Sequence, residues 1–349
     1  GSTTTGVTFT GNVAGTVYNW SNTNTAIGLG ASGVGNIASF VTTNTTNATI
    51  SGTITAVPIY TNAGLSCTGA STSFTIAVNP IPTVNAVLSQ ELCTGSSTTA
   101  VAFSGFVPNT NYNWTNSNTT IGLGASGVGD IPSFTTINTG TLPQVATITI
   151  TPTYSNLGLT CTGSSKQFIY TVNAVPSIVN ITETICSETR FTTIPVDGGV
   201  NANIVPPNTR YTWTVAANSN VSGQQNQLVP QVSISQVLTN LTSVVQTVVY
   251  TVTPISGSNG ACFGRPFTVT VTINPKVTVP NQVVSICSEG SFSLTPATFT
   301  GTTIIPAGST FSWPLPNLSG TITGSAAGNN QNFIFGTLTN PTNTEQTAV

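Results

Sequence analysis

Charge is nearly absent from this chain: five Lys and Arg and seven Asp and Glu make up 3% of 349 residues. A typical soluble protein carries roughly a quarter. Five cations cannot line a groove that tracks phosphates, and a net charge of −2 offers nothing to nucleic acid or to an anionic membrane surface. Histidine is missing altogether. That removes Ser-His and Cys-His nucleophile pairs and every imidazole metal ligand. The acids Glu91, Asp130, Glu183, Glu188, Asp197, Glu289 and Glu345 are scattered, without the spacing of a calcium loop. Methionine is also missing, and no charged and apolar leader opens the chain, which therefore reads as a mature exported segment or a piece of one. No apolar run approaches the roughly 18 residues that span a bilayer; the best, residues 243–255, is broken by Gln246, Thr247, Thr251 and Thr253. The reading is thus no enzyme, no cofactor, no nucleic acid and no membrane span.

What fills the chain instead is Thr, Asn, Ser and Gly among 38% hydrophobic residues, enough to bury cores. Four tryptophans mark a period: Trp20, Trp114, Trp213 and Trp313 lie 94, 99 and 100 residues apart. Each follows an aromatic two positions earlier (Tyr18, Tyr112, Tyr211, Phe311), so both rings face one side of a strand. "ELCTG", "TICSE" and "SICSE" open the units, and "VNPIP", "VNAVP" and "INPKV" close them. Repeats of this length are whole domains. The boundaries fall at 1–80, 81–175, 176–276 and 277–349, with the first unit cut ahead of Gly1 and the last cut at Val349. "GSTTTGVTFTG" aligns with "GSSTTAVAFSG" at 95–105, which puts an opening cysteine just ahead of Gly1. Period-2 alternation in 98–105, 146–154, 246–254 and 266–275 predicts strands, and no stretch shows a 3.6-residue period. Short strands, regular turns and one strand-borne Trp per unit predict an all-β chain of tandem immunoglobulin-like sandwiches arranged end to end.

One motif points elsewhere. Gly28-Leu29-Gly30-Ala31-Ser32-Gly33 fits the G-x-G-x-x-G pattern of dinucleotide loops and recurs at Gly122-Leu123-Gly124-Ala125-Ser126-Gly127. A nucleotide loop needs a following helix and an acid about 20 residues on. Here short strand-like segments follow, and Asn36 and Asp130 stand too close. The glycines read as structural, supplying positive φ and a flat backbone.

The phrases "YNWTNSNTTIGLGASGVGDIPSF", "TYSNLGLTCTG", "YTWTVAANSNVSGQQNQ" and "TVVYTVTP" resemble the PKD-like and immunoglobulin-like repeats of giant Bacteroidota surface proteins, above all flavobacterial gliding-motility adhesins. The resemblance runs through the whole chain. It implies a secreted, outer-membrane-attached adhesin segment, with the type IX secretion and gliding machinery as partners and an external surface or polysaccharide as target. The alternatives are a carbohydrate-binding module and a passive spacer of a polysaccharide-degrading enzyme.

Within that frame Trp20, Trp114, Trp213 and Trp313 read as core residues packed between sheets, not as sugar-stacking platforms. Six cysteines at fixed places in an exported chain read as disulfides. One arrangement pairs them within repeats, Cys93–Cys161 and Cys186–Cys262, leaving Cys67 and Cys287 to partners outside the fragment. The other pairs them across boundaries, Cys67–Cys93, Cys161–Cys186 and Cys262–Cys287, at separations of 26, 25 and 25 residues. The first is preferred, because beads on a string hold neighbours apart. Glu188 and Arg190 are placed to pair across a turn.

Overall fold

Alternating Thr with Val and Ile dictates strands here, because β-branched side chains suit a pleated sheet with one buried face. The computed structural model describes residues 1–199, 202–257, 261–296 and 302–349. It divides into two units, Gly1–Asn173 and Ala174–Val349.

The first unit holds two copies of one arrangement. In the first, β1 (Val17–Asn22), β2 (Ser32–Val34), β3 (Ile50–Asn62), β4 (Leu65–Thr68) and β5 (Thr72–Val78) form a sheet in the order β2-β1-β3-β4, with β5 also on β3. In the second, β6 (Gln90–Cys93), β7 (Asn111–Asn116), β8 (Ser126–Val128), β9 (Gln144–Asn156), β10 (Leu159–Thr162) and β11 (Lys166–Asn173) follow the order β6-β11-β9-β7-β8, with β10 on β9. The opening strand β6 runs parallel to the closing strand β11, while the other pairs are antiparallel.

A second layer covers each sheet, held by the bridges Thr3↔Val41 and Val7↔Ile37 in the first copy and Ser97↔Thr135 and Val101↔Ile131 in the second. The segment 98–105, expected as a strand, is paired only at such isolated points. Side chains interrupt its ladder: the Thr99 N–H donates to Gln90 Oε1 at 2.9 Å and the Phe103 N–H to Asp130 Oδ1 at 2.8 Å. Between the layers of the second copy, Ala146, Ile148 and Ile150 of β9 meet Val101, Phe103, Ile131 and Phe168.

In the second unit, β12 (Ile181–Cys186), β14 (Arg210–Val215), β16 (Gln227–Gln231), β18 (Gln246–Ile255) and β19 (Phe267–Asn274) form a sheet in the order β12-β19-β18-β14-β16. Facing it, β13 (Thr189–Thr193), β15 (Val221–Ser222) and β17 (Ile234–Asn240) form the order β13-β17-β15. Strand β19 shows the pattern most plainly: Phe267, Val269, Val271 and Ile273 are buried, and the threonines between them face the other side. Full burial of each such side chain stabilises by about 1.5–3 kcal/mol. The last repeat contributes two pairs, β20 (Gly290–Leu294) with β23 (Ile334–Leu338) and β21 (Phe311–Trp313) with β22 (Gly328–Gln331). The chain is all-β, a series of tandem immunoglobulin-like sandwiches.

Candidate functional site

The glycine motif has a structural task at each of its three positions. Asn24 and Asn118 cap single 3-10 turns at Thr25–Ile27 and Thr119–Ile121 by accepting from the N–H groups of Ala26 and Thr120. The first glycine ends the turn in the left-handed region, at φ +96° for Gly28 and +98° for Gly122, where a Cβ is strained. The second glycine lends its carbonyl: Asn22 Nδ2 donates to Gly30 O and Asn116 Nδ2 to Gly124 O. The third lies under a ring. A Cβ on Gly33 would stand 2.2 Å from Trp20, and one on Gly127 would stand 2.3 Å from Trp114. Cross-strand register brings them together, Trp20↔Gly33 and Trp114↔Gly127. Asn36 and Asp130, which stand where an acid was sought, each accept one backbone N–H, from Phe9 and Phe103. An amide serves as well as a carboxylate there, so the position asks for an acceptor and not for charge.

Trp114 and Trp213 are 7% and 4% exposed. Trp20 is half-buried against the core of the first repeat, and Trp313 is half-buried and packs edge-on against Phe335. Trp213 and Trp313 donate their Nε1–H to the carbonyls of Gln225 and Ala326.

The cysteines correct the sequence reading. Cys93 and Cys262 are in disulfide linkage, whereas Cys67, Cys161, Cys186 and Cys287 are free. Neither within-repeat pair forms, and each boundary pair includes a free member. Geometry explains the first failure. Cys93 lies opposite Asn173, one rung past the pairing of Val172 with Gln144, while Cys161 lies opposite Tyr154. From Gln144 to Tyr154 along β9 is ~34 Å at the usual strand rise. A disulfide needs Cα atoms within about 7 Å. In the third repeat Cys186 lies opposite Asn274, beside the Gln246 end of β18, and the Cys262 carbonyl accepts from Ser256 N–H just past the other end. Opening and closing cysteines sit at opposite ends of one sandwich.

The most elaborated polar cluster lies where the first two repeats meet. Asn156, at the tip of the β9–β10 hairpin, donates from Nδ2 to Thr49 Oγ1 at 2.8 Å and to Asn79 Oδ1 at 3.2 Å. Asn79 Nδ2 returns a bond to Asn156 O at 3.1 Å, and Thr49 Oγ1 donates to Asn79 Oδ1 at 2.8 Å. Beside this lock a cleft of about 520 Å³ is lined by Gly1, Ser2, Thr42, Asn79, Leu159 and Cys161, among others.

Buried and half-buried polar groups elsewhere serve the frame. Asn138 Nδ2 donates to Leu142 O and Val172 O, and Asn240 Nδ2 to Val244 O and Ile273 O. Asn44 makes the matching pair of bonds to Ala48 O and Val78 O, and Asn340 bonds Thr344 O. The sequence reading passed over this asparagine, although its recurrence in every repeat, ahead of a long strand in the first three, was there to find. Burial pushes the Tyr170 and Tyr211 phenols up to about 12 and raises that of Tyr250 further. Glu188 pairs with Lys276 rather than Arg190, whose guanidinium reaches Ser235 Oγ at 3.4 Å. Among the described residues no three His, Cys, Asp or Glu side chains gather as metal ligands, and no helix is long and apolar enough to cross a membrane. The polar side chains described above join strands and neighbouring repeats.

No curated protein matches the chain. Three domains of mouse cadherin-23 (EC22-24) share 9% identity, with 73% of this chain and 86% of that one covered at a TM-score of 0.28. An I-band fragment of titin shares 10%, with 76% and 89% covered at 0.36. Likeness at these scores carries no argument. The firmer finding is local and in sequence: residues 183–277, most of the third repeat, match the family model of a PKD-like domain.

Proposed function

We propose that this chain is a stalk segment of a secreted, outer-membrane-attached adhesin that serves surface adhesion and gliding motility and carries no catalysis of its own. The observation that carries the reading is the side-chain lock between the first two repeats, in which Asn156 of one sandwich is bonded to Thr49 and Asn79 of the other. Sandwiches tied in this way suit a chain that bears load. Its uncharged Thr and Asn surface suits a long filament outside the cell, where hydroxyls and amides supply solubility. The resemblance of the repeats to flavobacterial gliding adhesins supplies the export route, type IX secretion, and the machinery that would move the filament. The distal target is an external surface or polysaccharide.

The test is replacement in the cell. Exchanging this segment for an unrelated sandwich array of equal length leaves adhesion and gliding intact if these repeats only project a distal binder. Loss of adhesion on that exchange, with surface display unchanged, would place binding in the repeats and overturn the stalk reading.

A further inference from the structure

We propose that two copies of this chain join by repeating the lock of the first unit, with the β3–β4 hairpin of one copy as the plug and a cleft on the third repeat of the other copy as the socket. The proposal rests on the geometry of that lock and stands whether or not the chain is an adhesin.

The plug of the existing lock is the β9–β10 hairpin, and β3–β4 repeats it rung for rung. Asn156 pairs with Leu159 and Tyr154 with Cys161, as Asn62 pairs with Leu65 and Tyr60 with Cys67. Both turns use two left-handed residues, Leu157 and Gly158 at φ +51° and +74°, Ala63 and Gly64 at +48° and +79°. That is the backbone of a type I′ hairpin. A hydroxyl pair at 2.8 Å braces each hairpin, Ser155 with Thr160 and Thr61 with Ser66. Their surroundings differ. Asn156 and Tyr154 reach Thr49 of the first repeat, whereas Asn62 and Tyr60 are exposed and Leu65 is 73% exposed.

The socket of the lock is the place where a closing strand ends beside an asparagine turn. Asn44 accepts from Thr46 N–H and donates from Nδ2 to Ala48 O and Val78 O, and Thr49 then bonds Asn79. Asn240 accepts from Thr242 N–H and donates to Val244 O and Ile273 O in the same way. Here Val245 and Asn274, the counterparts of Thr49 and Asn79, line a cleft of about 700 Å³ together with Val244, Pro275 and Ile305, among others. Valine in place of Thr49 trades one hydroxyl for apolar area, and Val244 and Val245 are 61% and 54% exposed.

Asn62 and Asn274 thus correspond to the two asparagines that grip each other in the lock. Both are exposed, and neither side chain has a hydrogen-bond partner among the described residues. A copy that offers Asn62 to Asn274 gains the reciprocal amide bonds that Asn156 and Asn79 make, and it covers Leu65 with Val244 and Val245. Residues 60–67 and the lining of the cleft hold no charged side chain, and a net charge of −2 keeps repulsion between copies small. The contact is heterologous, so a joined pair still offers one plug and one socket. Its small area places it among weak, transient associations.

The experiment is sedimentation equilibrium of the intact chain over a concentration series reaching about 1 mM, the weak end of specific binding. The mass of the parent should climb past twice that of one chain. Leu65→Arg removes the plug and Val245→Arg the socket; both side chains are exposed, and unchanged tryptophan emission shows that each variant is folded. Alone, each should stay a single chain. Mixed in equal amounts they should form a one-to-one dimer and nothing larger, because one brings an intact socket and the other an intact plug. The smaller changes Asn62→Ala and Asn274→Ala should each weaken association of the parent about tenfold, the loss of two amide bonds. A parent that stays single, association that survives either arginine, or a mixture that fails to pair would overturn the proposal.

Discussion

At the scale of single residues, the glycine motif separates an architecture from a chemistry. A nucleotide loop would depend on all three glycines. Here the third is required by the ring above it, since a Cβ on Gly127 would overlap Trp114, while nothing lies within 4 Å of one on Gly124. Gly127→Ala should therefore lose about 1–3 kcal/mol through overpacking. Gly124→Ala should stay within about 0.5 kcal/mol of the parent. Thermal or urea melts of the two variants check this, and equal losses would argue against the ring-on-glycine account. Tyrosines give a second contrast. The Tyr170 hydroxyl is buried without a partner, so Tyr170→Phe should be neutral or stabilising, whereas Tyr250→Phe gives up a 2.8 Å bond to Gln236 and should cost about 1 kcal/mol. Because burial raises the Tyr170 and Tyr211 phenols from 10.0 to about 12, the folded state holds its protons where the unfolded chain releases them. Stability contributed by these groups is complete below pH 10 and declines between about pH 10 and 12. Alkaline melts followed by tryptophan emission should show that decline, and Tyr170→Phe should flatten it.

At the scale of elements, the sequence was legible wherever a strand shows the core one face. Residues 146–154, 246–254 and 266–275 alternate because every second side chain is buried, and they are strands. Residues 98–105 alternate equally well yet form only isolated bridges, because Gln90 and Asp130 take N–H groups that a ladder would have used. Periodicity reports burial, and burial does not guarantee pairing. The short turns Thr25–Ile27 and Thr119–Ile121 were invisible for a related reason: at three residues they have no period to read, and only the Asn cap and the glycine after them mark their place. The recurring asparagine, buried at Asn138 and Asn240 and half-buried at Asn44 and Asn340, is a local signal that alternation cannot supply. Asn138→Ala would strip the Leu142 and Val172 carbonyls of their donor, an expected loss of about 1–3 kcal/mol. A melt that shows no loss would mean that water replaces the amide at both carbonyls.

At the scale of the whole molecule, the repeat length and the all-β class were readable from four tryptophans, but the cysteine linkage was not. Spacing along the chain ranks the within-repeat and boundary pairs almost equally. What decides between partners is which end of a sandwich each cysteine occupies, and that follows from the parallel pairing of β6 with β11 and the antiparallel hairpin of β9 with β10. Linear spacing carries neither. The functional account rests on the same scale, since it holds that the repeats act as a stalk. Small-angle scattering from the intact chain tests it most directly. Four sandwiches in file, two of them partial, would span on the order of 120–160 Å, estimated from strand rise and sandwich size. The radius of gyration of such a rod is about 35–45 Å, against about 20 Å for a single compact body of this length. The stalk account predicts the larger value with a rod-like distance distribution; a radius near the smaller one would contradict it.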